Sequence, residues 1–213
     1  APADSPALGA SSGLAKLIAL GAAVRGSRAL LALHQADWVA GRLTGRYGVS
    51  DWNNALKLGF DAALHVWPAW VRALAPDGIR LPRVLAPGTP IGTVLPPVAA
   101  ELGLSPDTRV LAGTTDSTAA VIASGAAAAG DAVTSLGSTL VLKVVSPRPV
   151  SAARYGVYSQ RLGDDWLVGG ASNSGGAVLL QHFTLDEIRI LSDCIDGTRS
   201  SGLDYYPLPD IGE

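Results

Sequence analysis

The chain has 213 residues, 48% hydrophobic and 16% charged, which gives it enough apolar mass for a large core and suits an interior-rich α/β protein better than a disordered or coiled one. A net charge of −2 with no basic stripe argues against a nucleic-acid partner, and no apolar run approaches the roughly 18 residues that a membrane span needs. The single cysteine, Cys194, rules out an internal disulfide and fits a reducing, cytoplasmic compartment.

The start, Ala1-Pro2-Ala3-Asp4-Ser5-Pro6, lacks the basic region and apolar core of a signal peptide, and the absence of Met reads as an internal piece of a longer chain. Ser11-Ser12 offers an N-cap for a helix to about Gly21, with Leu14, Leu17 and Ile18 on one face. A second helix is expected from His34 through Asp37 and Trp38 to Leu43, stopping near Gly45. Residues 48–61 are polar and turn-rich at first, and Pro68 fits the first turn of a short helix to Leu74. Residues 76–97 hold many of the prolines and read as an irregular connection with short strands.

A rhythm then sets in. Residues 97–102 read as helix, 108–112 as a buried strand, 116–124 as helix and 125–130 as a flexible small-residue stretch. Residues 132–136, 139–145, 155–161 and 166–168 read as strands, with Gly163-Asp164-Asp165 as a hairpin turn. Gly169-Gly170 and Ser172-Asn173-Ser174 then lead into a helix to about Phe183, and residues 186–195 form another. Cys194 on that last helix reads as a buried small hydrophobe rather than a nucleophile. The change from helix-dominated to strand-dominated pattern at Gly130/Asp131 marks a domain boundary.

Asp116 follows a strand and Gly113 at the expected start of a helix, where open α/β sheets bind ligands and the helix dipole favours negative charge. Such a carboxylate can accept a proton from a hydroxyl. Capping the helix is the competing role, because Asp is among the best N-caps. Gly137-Ser138-Thr139 is either a plain hairpin turn or a backbone nest for phosphate oxygens. The glycine-rich segment 169–176 has the same two readings, and the Gly-Lys-Ser/Thr of a nucleoside-triphosphate loop is missing. His34, His65 and His182 have no metal-ligand spacing and read as structural or surface residues. Asp51 and Asn53 belong to a polar loop near Trp38 and Trp52, and this loop weakly favours a polyol ligand.

Taken together and in order, these segments resemble the FGGY carbohydrate kinases, in their ribulokinase/xylulokinase-like branch. The resemblance is carried by Ser-Ser-Gly-Leu-Ala-Lys-Leu (11–17), His-Gln-Ala-Asp-Trp (34–38), Gly-Arg-Leu-Thr-Gly (41–45) and Ser-Asp-Trp-Asn-Asn-Ala-Leu-Lys (50–57). It continues through Pro-Gly-Thr-Pro-Ile-Gly (87–92), Ala-Gly-Thr-Thr-Asp-Ser-Thr-Ala-Ala (112–120), Leu-Gly-Ser-Thr-Leu (136–140) and Gly-Leu-Asp-Tyr-Tyr-Pro-Leu (202–208).

The resemblance implies an α/β fold of the actin-like (ribonuclease H-like) two-domain sugar kinase type, incomplete at both ends. Residues 1–129 would be part of the first, sugar-binding domain, and 131–213 the start of the second, nucleotide-binding one. The implied reaction is ATP- and Mg²⁺-dependent phosphorylation of a sugar hydroxyl, with a ketopentose such as D-ribulose or D-xylulose as substrate. Asp116 matches the family's catalytic base, Ser117 a neighbouring sugar-contacting position, and Gly137, Ser138 and Thr139 the second domain's phosphate-facing hairpin. Gly175 and Gly176 lie near the nucleotide cleft.

The family's Asp-x-Gly-Thr/Ser hairpin, with its Mg²⁺-related carboxylate, is absent, as is its Gly-rich adenine-binding region. Ala19 stands where one form of the family pattern has Trp. The chain is therefore expected to be inactive alone, its metal ligands are unassigned, and a homodimer stays open. The alternatives are a non-catalytic sugar-binding fragment and an actin-like ATPase module.

Overall fold

Local signals near the amino terminus set the first elements of the computed structural model, which describes residues 2–10, 12–23 and 30–202. Helix α1 (Gly13–Ala23) starts at Ser12, whose hydroxyl accepts the Ala15 N–H at 3.1 Å and donates to the Ala7 carbonyl at 2.7 Å. Leu14 then packs with Ala7 and Val71. Strand β1 (Leu30–Leu31) precedes α2 (Gln35–Thr44), whose entry is tied by the Asp37 carboxylate accepting the His34 N–H at 2.9 Å. Gly45 ends α2 in the left-handed conformation, φ 73°, with its N–H on the Gly41 carbonyl at 2.8 Å.

Strand β2 (Val49–Asp51) runs directly into the short helix α3 (Trp52–Ala55) and a 3₁₀ turn, Leu56–Leu58. Helix α4 (Ala69–Leu74) follows Pro68 as expected. The proline-rich connection holds β3 (Ile79–Arg80), parallel to β1, and β4 (Arg83–Leu85), parallel to β2. Strand β5 (Pro90–Thr93) and β6 (Arg109–Leu111) pair antiparallel around α5 (Pro96–Leu102). Strand β6 leads through residues 112–115 into α6 (Asp116–Ala123).

The strands β7 (Ala132–Leu136), β8 (Leu140–Ser146), β9 (Tyr158–Leu162) and β10 (Asp165–Ser172) form one antiparallel sheet in the order β7-β8-β10-β9. Two clusters join this sheet to the preceding elements. Trp166 packs with Ala55, Phe60 and Ala62, and Val121 of α6 packs on Val145 and Leu167. The second contact seats α6, and with it Asp116, on the sheet.

Four expectations need correction. Strand β6 is not buried: among the described residues it pairs only with β5, and Arg109 and Leu111 are exposed. Gly169 and Gly170 do not form a loop but lie inside β10, paired with Lys143 and Leu142. A Cβ on Gly169 would fall 2.4 Å from the Leu142 carbonyl oxygen and 2.5 Å from Lys143 Cδ, so glycine there admits a close approach rather than a turn. The segment after it is a 3₁₀ helix, Gly176–Gln181, not an α-helix reaching residue 183. Cys194 follows α7 (Leu185–Asp193) and is exposed, because that helix buries none of its residues. The 203–208 part of the last matching segment lies outside the described residues.

Candidate functional site

Asp116 is the first residue of α6, and the N-cap is Thr115. The cap position therefore belongs to its neighbour, although Asp116 Oδ1 accepts one free helix amide, that of Ser117, at 2.7 Å. That amide is its only hydrogen-bond partner among the described residues, and the side chain is exposed. It borders an open cleft of about 660 Å³ whose polar lining includes Lys16, His34, Gln35, Asn54 and Thr114. His34 was assigned a structural role from sequence, yet its Nε2 is buried without a hydrogen-bond partner at this cleft. Its position just ahead of a helix, three residues before an acidic side chain, was the available signal. Lys16 and Asn54 carried none.

Asp51 and Asn53 are both buried, and their polar atoms are used within the protein. Asp51 caps α3, with Oδ1 accepting the amides of Asn53 and Asn54 at 2.9 and 3.0 Å, while its Oδ2 accepts Asn54 Nδ2 at 2.6 Å. Asn53 exchanges two 3.0 Å hydrogen bonds with the Arg161 main chain and donates to Thr114 Oγ1 at 2.9 Å. The pair thus ties α3 to β9 and to the segment entering α6, and leaves Asn54 on the cleft wall.

Trp38 is exposed beneath the Arg42 guanidinium, and Trp52 stacks on His65, so neither ring lines this cleft.

Thr115 connects the start of α6 to the sheet. Its Oγ1 lies 3.0 Å from Thr118 Oγ1 and 3.5 Å from Ser117 Oγ, and it accepts Gln160 Nε2 at 2.9 Å. Gln160 Oε1 in turn accepts the ammonium of buried Lys143 at 2.9 Å. Burial holds that ammonium below the ordinary lysine range, and the charge of Lys57 pushes the same way.

The structure brings together the two glycine-containing segments predicted to face phosphate. The Gly176 N–H donates to the Gly137 carbonyl at 2.7 Å and the Ala177 N–H to that of Ser138 at 3.2 Å. A Cβ on Gly175 would fall 2.5 Å from the Thr139 carbonyl carbon, so this contact is between bare backbones. Among the described residues the exposed amides of Ser138 and Thr139 donate to nothing. No hydrogen bond joins Asp116 to this turn, and the turn does not line the Asp116 cleft. No cluster of three or more His, Cys, Asp or Glu suited to a metal is found among the described residues.

No protein-family model matches the sequence. The structure is similar to that of a xylulose kinase from Rhodospirillum rubrum, with a TM-score of 0.77 and 24% identity over 93% of this chain and 43% of that one. A carbohydrate kinase from Novosphingobium aromaticivorans matches with a TM-score of 0.55 and 25% identity, over 68% of this chain and 33% of that one. A glycerol kinase from Plasmodium falciparum, solved with ADP, matches with a TM-score of 0.58 and 16% identity, over 78% of this chain and 33% of that one. The fold is the actin-like α/β fold of these sugar kinases, and the chain spans less than half the length of each.

Proposed function

We propose that this chain is the central part of an FGGY-type carbohydrate kinase that transfers a phosphoryl group from ATP to a sugar hydroxyl. The observation that carries the reading is Asp116, exposed on an open cleft of mixed polar and apolar lining at a helix start, with one amide as its only hydrogen-bond partner among the described residues. In this reading Asp116 accepts the proton of the attacking hydroxyl, and Ser117, His34 and Asn54 hold the other hydroxyls. Asp51 and Asn53 act through Asn54 and Thr114, which they fix in place.

The amides of Ser138 and Thr139, unpaired among the described residues and backed by Gly137, Gly175 and Gly176, suit the oxygens of a nucleotide phosphate. Mg²⁺ is usually held by substrate phosphates and one or two carboxylates rather than by an all-protein cage, which is compatible with the isolated Asp116. When bound, it would supply charge neutralisation at the transferring phosphate. Residues 1–129 and 131–213 are read as parts of the sugar-binding and nucleotide-binding domains, and among the described residues no sheet crosses residue 130. A ketopentose, D-ribulose or D-xylulose, is the proposed substrate.

The test is ATP turnover by the complete protein with each of these sugars, in the wild type and in Asp116→Asn. Loss of a positioned base lowers turnover by about 10²–10⁴-fold. Wild-type turnover in Asp116→Asn would remove this residue from the mechanism, and no turnover with any sugar in the wild type would favour a sugar-binding module.

A further inference from the structure

We propose that Lys143 is a positioning residue for the turn that carries Asp116: through Gln160 it fixes the direction of the hydrogen-bond chain that ends on Thr115. Lys143 is 5% exposed and Gln160 3%, so water does not compete for either. Glycine at position 169 leaves room for the lysine stem, and the ammonium lies 5.2 Å from the Tyr158 ring centroid. An ammonium can only donate. The Gln160 amide must therefore present its oxygen to Lys143, because the flipped amide would set donor against donor in a dry site. Its nitrogen then has to face Thr115 Oγ1, 2.9 Å away.

Having accepted that bond, the Thr115 hydroxyl spends its one proton on Thr118 or Ser117 at the first turn of α6. One buried cation on β8 thus orients the Gln160 amide and, through it, the Thr115 hydroxyl at the seat of the helix whose first residue is Asp116.

The kinetic part rests on the kinase reading given above, and the structural part does not. Lys143→Met keeps the length of the stem and removes the donor, leaving Gln160 free to flip. Gln160→Glu keeps an acceptor for Lys143 but has no donor for Thr115. In thermal melts, Lys143→Met and Thr115→Val break the same chain, so their combined shift in Tm should be smaller than the sum of the single shifts. Additive shifts overturn the proposal.

In the complete protein, Lys143→Met and Gln160→Glu should each lower kcat by about 10- to 100-fold, the cost of a misplaced reacting group, with the KM for ATP unchanged. Wild-type kcat in both, beside a dead Asp116→Asn, overturns the positioning role while the base assignment stands. If Asp116→Asn is itself fully active, that assignment falls and the melts alone decide for or against Lys143. Should Lys143→Met fail to fold, the near-isosteric Gln160→Glu and its cycle with Thr115→Val carry the same expectations.

Discussion

A carboxylate on the first residue of a helix can stabilise the helix or act on a ligand, and truncation separates the two. Because Thr115 holds the cap position and Asp116 takes a single amide, Asp116→Ala should cost no more than about 1 kcal/mol in thermal melts while abolishing the proposed base. Gly175 gives a second test at this scale. Its missing Cβ would press on Thr139 and Ser138, so Gly175→Ala should destabilise by roughly 1–3 kcal/mol in urea unfolding. Gly137→Ala is the control: its Cβ meets only the Thr139 carbonyl oxygen at 3.8 Å, and the change should stay within about 0.5 kcal/mol. Asp116 was legible because an acid between a strand–glycine signal and a helix is a local pattern. Lys143 and Gln160 were not, since their contact joins β8 to β9 and depends on a strand order that periodicity does not encode.

Helices were legible wherever a cap announced them. Ser12, Asp37 and Gly45 place the ends of α1 and α2 within a residue or two of expectation, because each satisfies free backbone groups by itself. Strand β10 was misread from Gly169 onward, since glycine signals loops locally while here it serves packing against Lys143. Asp37 allows a test of its element by pH. Burial raises its pKa above the ordinary value, against the opposing hydrogen bond from His34. The folded state therefore holds this proton more tightly than the unfolded chain, and the group's contribution to stability grows as pH falls through the folded value and levels off below 3.8. Asp37→Asn keeps an acceptor for the His34 N–H but does not titrate. The Tm difference between wild type and Asp37→Asn should consequently shift in favour of the wild type as pH is lowered from 7 towards the acid range. A difference independent of pH would show that the buried carboxyl is not the source.

At the scale of the molecule, the colinear motifs pointed to the actin-like fold more surely than any single element did, because they fix the order of strands, turns and helices. What they left open is how much apolar surface this chain covers by itself. Leu20 of α1 is 65% exposed, Ile122 of α6 55%, and Leu185 and Ile190 of α7 73% and 65%. Helix α7 has a capping box between Thr184 and Glu187, so it is well started, yet it buries no residue. Stable monomers seldom expose contiguous apolar patches beyond a few hundred Å². The 213-residue chain should therefore bind a hydrophobic dye and self-associate as its concentration rises, by dye fluorescence and sedimentation velocity. Leu20→Lys and Ile122→Lys place charge on two of these surfaces without touching a core cluster, so both should lower the dye signal with little change in Tm. A chain that sediments as a monomer throughout and leaves the dye dark would mean that these side chains are covered in solution by an arrangement other than the one described.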